Sequence, residues 1–356
     1  MSLIDLARLG WWLGPKADAP APAVQRQSIT LPPRTADERP LDAELYAPLG
    51  REPDGALLLI PGLHPAGPYD TRMIRFASVL AHAGLCVLSP ALPDLAALKL
   101  APTLMPDARR TFAALEERAP AGIKPGVMSI SFGSLPALEL AGHPDVGPRV
   151  GGVMTFGGYA RWQAALRFAL AGGDGVPFDP LNRPAGYMQL LHGLPPPADR
   201  PRLEAAWRGF VSETWGRAEM KQDGAWQPVA ERWADTAHPD DRGLARLGLG
   251  VDPRCVEVAE EVIARYDAEG TMDFLDARAA IPRITAPLYV VHGADDDVIP
   301  VGQAAELAAG TGPGQSAKVI VTGAYGHTGR AGNLLREAGS MIAVLRALRA
   351  IGTRRR

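Results

Sequence analysis

The chain has 356 residues and a formal net charge of -2, long enough for a large α/β domain with an insertion. The overall charge makes no electrostatic case for nucleic acid or for an anionic membrane. Its two cysteines, Cys86 and Cys255, are far apart and have no metal or redox spacing, so no disulfide framework is expected, and a reducing compartment is compatible but not required. The expected location is cytoplasmic.

No run of about eighteen uncharged apolar residues exists, so no membrane-spanning segment is expected. The chain opens on a short apolar segment, Leu3, Ile4, Leu6, Leu9, Trp11, Trp12 and Leu13. Asp5 and Arg8 interrupt it and it lacks a basic start, so it does not read as a secretory signal. The simpler reading is a helix covering the domain's own core. The alternative is a helix that docks on a partner, on a lipid surface or on a cap. Ala17–Ala23, rich in proline and alanine, reads as a linker.

Strands are expected at Arg26–Leu31 and Leu41–Tyr46, joined as an antiparallel hairpin. Uninterrupted apolar strands then alternate with helices. The strands are Ala56–Ile60, Leu85–Ser89, Val127–Ile130 and Val150–Phe156; the helices are Asp70–Ala83 and Asp107–Arg118. Strands of this kind form a parallel sheet covered on both faces. The alternation resumes at Pro287–His292, followed by a helix at Gly302–Ala309, a strand at Lys318–Val321 and a helix at Leu334–Leu348. The gap between Phe156 and Pro287 is too long for a simple crossover. It carries helical patterns at Trp162–Leu170, Leu203–Met220, Pro228–Ala234 and Val256–Ala268. Five of the seven tryptophans fall there (Trp162, Trp207, Trp215, Trp226 and Trp233). Most are expected in a core and one or two on a substrate pocket. The expected organisation is an N-terminal helix and linker over 1–24, an α/β core over 25–157 and 286–356, and a helical cap over 158–285.

Ser131 stands where an apolar strand gives way to a helix-forming stretch. Ser129, Gly133 and Ser134 surround it. Small neighbours suit a tight, strained turn that lifts the serine hydroxyl above the sheet near a helix N-terminus. Such a serine becomes a nucleophile when a histidine takes its proton and an acid orients that histidine. Candidates for both follow later strands: Asp295-Asp296-Asp297 after Pro287–His292, and His327 after Lys318–Val321. All three segments leave the carboxyl ends of strands in one parallel sheet, the rim where open α/β sheets bind ligands.

The order Ser131, Asp296, His327 resembles that of the α/β-hydrolase family, over about Arg26 to Leu348, with an insertion where that family carries its cap. The family motif has glycine at the position of Ser129. The resemblance implies an α/β fold with a mostly parallel central sheet, and a triad of Ser131, His327 and Asp296. Asp295 and Asp297 are then turn formers or exposed charges. It also implies an oxyanion hole from the backbone N–H groups of Phe132 and Leu63, with Gly62 allowing close approach. His64 and Trp162 are candidate substrate contacts. His292 is expected to support the acid loop rather than titrate. No cofactor and no metal are implied. The expected substrate is a small ester with an apolar portion, and the expected partner surface, if any, is the N-terminal helix. An acyltransferase, a peptidase or amidase, or a non-catalytic binding protein on the same fold are the alternatives.

Overall fold

A computed structural model of the chain describes residues 2–33, 35, 38–173, 178–222, 224–312, 315, 317–323, 325–326, 329–330 and 337–353, with backbone alone at 325–326 and 329–330. Eight strands make the main sheet: β1 Gln25–Leu31, β2 Leu41–Ala47, β3 Gly55–Ile60, β4 Leu85–Pro90, β5 Gly126–Ile130, β6 Val153–Phe156, β7 Leu288–Gly293 and β8 Ala317–Thr322. Their spatial order is β1-β2-β4-β3-β5-β6-β7-β8. β1 pairs antiparallel with β2, and β2 with β4; every later pair is parallel. This topology is that of the α/β-hydrolase fold.

The helices are α1 Leu3–Leu13, α2 Thr71–His82, α3 Pro93–Ala96, α4 Leu104–Glu116, α5 Ser134–Gly142, α6 Trp162–Ala171, α7 Arg183–Leu190, α8 Arg200–Thr214, α9 Gln227–Ala234, α10 Arg242–Gly248, α11 Cys255–Glu269, α12 Gly302–Ala309 and α13 Ala338–Gly352. Helices α6 to α11 occupy the long stretch between β6 and β7. Among the described residues no helix is long and apolar enough to cross a membrane.

The central strands are buried on both faces, and the two-residue period divides them between two cores. Leu57, Leu59, Leu85 and Val87 join Leu9 and Leu13 of α1, Val79 and Leu80 of α2, and Val344 and Leu348 of α13. Ala56, Leu58, Ile60, Cys86 and Leu88 face the other way, toward Phe112 of α4, Leu138 of α5 and the helices between β6 and β7. Trp207, fully buried, anchors that second core, and its indole N–H donates to the Ala245 carbonyl at 3.2 Å.

Several boundaries differ from the sequence reading. The helix expected through Met220 stops at Thr214, because Trp215 is extended and Gly216 takes a φ of 81°. It starts at Arg200, where the Asp199 carboxylate accepts from the Arg202 N–H at 3.1 Å and Pro201 fits the first turn. The strand expected from Val150 begins at Val153. The final helix begins at Ala338. Residues 17–19, read as linker, are instead pinned: the Arg75 guanidinium donates to the carbonyls of Trp12, Lys16 and Ala19 at 3.0, 2.6 and 2.8 Å.

Candidate active site

β5 ends at Ile130, a 3-10 turn runs Ser131–Gly133, and α5 follows. Ser131 has a φ of 53°, in the left-handed region. A side-chain-bearing residue pays of order 1 kcal/mol to stay there. The turn survives because its neighbours leave room. A Cβ on Gly133 would stand 2.3 Å from the Pro61 carbonyl oxygen. A Cβ on Gly62 would stand 3.1 Å from the Cβ of Ser131. The loop after β3 therefore presses directly on the serine turn. Ser129 occupies its strand position without disturbing this geometry, though its hydroxyl is buried with no hydrogen-bond partner.

Ser131, 6% exposed, lies in the wall of a cavity of about 400 Å³. Phe132 and Leu63 line the same cavity, as do Trp162, Leu166 and Trp215 from the segment between β6 and β7. Two of its five tryptophans thus reach the cavity. Gln189 of α7 shapes another part of the wall. Its side chain accepts from the Leu100 N–H at 2.8 Å and donates to the Leu98 carbonyl at 2.6 Å. Among the described residues Leu98 is the other non-glycine residue with a left-handed φ, at 60°, and Leu100, two residues on, faces the cavity.

Asp296, 1% exposed, sits in the turn after β7. Its Oδ1 accepts from the N–H groups of Val298 and Ile299 at 3.0 and 2.8 Å. Its Oδ2 lies 3.3 Å from His292 Nε2. That same nitrogen lies 2.9 Å from the Ile299 carbonyl oxygen, which can only accept, so Nε2 carries the proton. His292 thus braces the acid turn from within the core, as the sequence suggested. Val298, two residues on, lines the cavity.

Asp297 departs from the expectation of a turn former or exposed charge. Its Oδ2 lies 2.5 Å from Lys221 Nζ. Lys221 also contacts Asp179 Oδ2 at 2.8 Å, and Asp179 is a cavity residue. Burial pushes the Asp179 carboxyl upward, with Lys221 opposing. Burial lowers Lys221, but the two carboxylates outweigh it and its net shift is upward. The Asp179 N–H donates to the Asp297 carbonyl at 3.2 Å. Asp179, Lys221, Gln189 and Arg75 were missed from the sequence, where no periodicity or motif links them.

His64 lies in the cavity wall rather than on open surface. Its Nδ1 accepts from the Ala66 N–H at 3.2 Å, and its Nε2 lies 3.4 Å from Asp70 Oδ2. Its ring centroid is 5.8 Å from that of Trp215. Burial, aided by Arg72 and opposed by Asp70, holds His64 below the ordinary histidine pKa. Both ring nitrogens are engaged, so His64 is a wall residue and not a free base. His327, the expected base, lies outside the described residues. The strand Tyr325–Gly326 precedes it in sequence and pairs antiparallel with Gly329–Arg330; its backbone lies beside β7.

No protein-family model matches the chain, and no curated protein matches it. Solved structures give remote similarities. The esterase domain of a Rhodothermus marinus protein is 14% identical, covering 92% of this chain and 99% of that one, with a TM-score of 0.44. A hydrolase of 2-hydroxy-6-oxo-6-phenylhexa-2,4-dienoate from a Rhodococcus species is 16% identical over 92% and 99%, with a TM-score of 0.46. The acylaminoacyl peptidase of Pyrococcus horikoshii is 12% identical with a TM-score of 0.49; the match covers 96% of this chain but 44% of the peptidase.

Proposed function

We propose that this protein is a serine hydrolase of carboxylic esters. His327 takes the proton of Ser131, and Oγ attacks the ester carbonyl carbon. The N–H groups of Phe132 and Leu63 hold the oxyanion while His327 returns the proton to the departing alcohol. Water, deprotonated by the same histidine, attacks the acyl-serine and releases the acid, and Ser131 regains its proton. Asp296 keeps the imidazole oriented and stabilises its cationic form.

The observation that carries this reading is the left-handed Ser131 at the end of β5, in the wall of a cavity. Strain of this kind at a cavity serine suits a nucleophile. The acid turn supports the reading, since Val298 reaches the same cavity. An ester is favoured over a peptide because the cavity is mostly apolar and small, about 400 Å³. The segment between β6 and β7 acts as the cap over it.

The test is fluorophosphonate labelling and turnover of activated esters by the full chain and by Ser131→Ala. Labelling of Ser131 and loss of both signals in the variant, with a cooperative melt retained, is the expected result. Equal turnover in the variant ends the assignment.

A further inference from the structure

Helix α1 has two apolar faces, and the fold uses one of them. Leu9 and Leu13 are buried against α2 and α13. Asp5 is buried too, held by Arg51 at 2.7 Å and by the N-cap Ser2. On the outer side Leu3 is 74% exposed, Ile4 66% and Trp11 53%. Residues 3, 7 and 11 recur every four positions, so with the exposed Ala7 these side chains form one stripe along the helix. Arg8 and Lys16 are exposed beside it. The helix's own carboxylate, Asp5, is turned inward, where it meets Arg51 at 2.7 Å and is reached by Arg8 at 3.5 Å. The chain as a whole is nearly neutral, but this face combines apolar and cationic groups.

The same segment forms part of the cavity. Leu13, Ala17 and Asp18 line it, together with Met73, Arg75 and Phe76 of α2. Arg75 fixes the arm through the three carbonyls described above. The segment that carries the exposed stripe therefore continues, from Leu13 onward, into the wall of the cavity that holds Ser131.

We propose that α1 docks on an anionic lipid surface, with Leu3, Ile4 and Trp11 entering the acyl boundary and Arg8 and Lys16 meeting the headgroups. The ester substrate is then one whose acyl chain is drawn from that layer; this second part rests on the serine-hydrolase reading, the docking does not. Charge decides between occupants. A second copy meeting this face would bring Arg8 and Lys16 against their own kind. Leu3, Ile4, Ala7 and Trp11 also offer far less than the roughly 800 Å² per partner of a stable protein interface.

The experiment uses the full chain carrying Ser131→Ala, so that binding is read without turnover. It is sedimented with phosphatidylcholine vesicles, with and without phosphatidylglycerol. Co-sedimentation with the anionic vesicles is expected. Leu3→Ser/Ile4→Ser/Trp11→Ser should abolish it, and Arg8→Gln/Lys16→Gln should weaken it at least about fivefold. In the Ser131 background both sets should keep the cooperative melt and the turnover of a water-soluble short-chain ester. Equal binding to neutral vesicles, no binding to either kind, or a dimer that Trp11→Ser splits would each overturn the docking. Vesicle binding by a protein with no ester turnover would leave the docking standing and sink the substrate assignment alone.

Discussion

The ammonium of Lys221 lies 2.5 Å from Oδ2 of Asp297, the residue immediately after the buried Asp296. Through its second partner, Asp179, it ties the cavity wall between β6 and β7 to the turn carrying the candidate acid. Lys221→Met leaves Asp179, 2% exposed, without its cation. A loss of about 3 kcal/mol is expected, with kcat falling more than KM rises. Lys221→Arg should restore part of both. Asp179→Asn in the Lys221→Met background should regain stability, and a double-mutant cycle by denaturant melts measures the coupling.

The three consecutive aspartates should separate cleanly in kinetics. Asp296→Asn should lower kcat by about ten-thousandfold through loss of imidazole orientation. Asp295→Asn, on an exposed residue, should leave turnover within about twofold. Asp297→Asn should fall between them. A larger loss at Asp295 than at Asp296 would reassign the acid.

The serine turn should tolerate change at one flank and refuse it at the other. Gly133→Ala places a methyl 2.3 Å from the Pro61 oxygen and should cost about 2–3 kcal/mol, with fluorophosphonate labelling lost. Ser129→Ala removes a buried hydroxyl that has no partner. It should stabilise by about 1 kcal/mol and keep labelling. Thermal melts and gel-based labelling read both.

His64 sets a pH dependence. Its folded-state pKa lies below 6.5, chiefly through burial. The neutral ring is favoured in the fold, so its contribution to stability is present above the unfolded value and is lost as pH falls through the folded one. Between about pH 8 and about pH 5, the melting temperature of the wild type should fall further than that of His64→Asn. Parallel lines for the two proteins would refute it.

Trp162 sits in the wall opposite to any requirement for polarity: it is 2% exposed, and its indole nitrogen has no hydrogen-bond partner. Trp162→Ala should destabilise by about 3–5 kcal/mol and move the preferred acyl length upward in a series of p-nitrophenyl esters. An unchanged length profile would show that the chain lies elsewhere.

Much of the sheet was legible because apolar runs such as Gly55–Ile60 and Leu85–Leu88 have few other uses. The serine turn was legible because its neighbours must be small whatever else varies. Helices α7 and α10 were not, since Gly186 and Gly243 weaken a propensity that tertiary packing then overrides. Nor was the Asp179–Lys221–Asp297 cluster, whose members meet across 118 residues of chain. A long-range ion pair leaves no periodic trace in a sequence. The Arg75 clamp was hidden for a different reason: it holds backbone oxygens, which every residue supplies.

That last property has an evolutionary reach. Because Arg75 recognises main-chain atoms, the stretch it grips is free to exchange side chains without coming loose. Descendants of this protein can therefore redecorate the cavity wall at Ala17 and Asp18 while the backbone grip stays where it is.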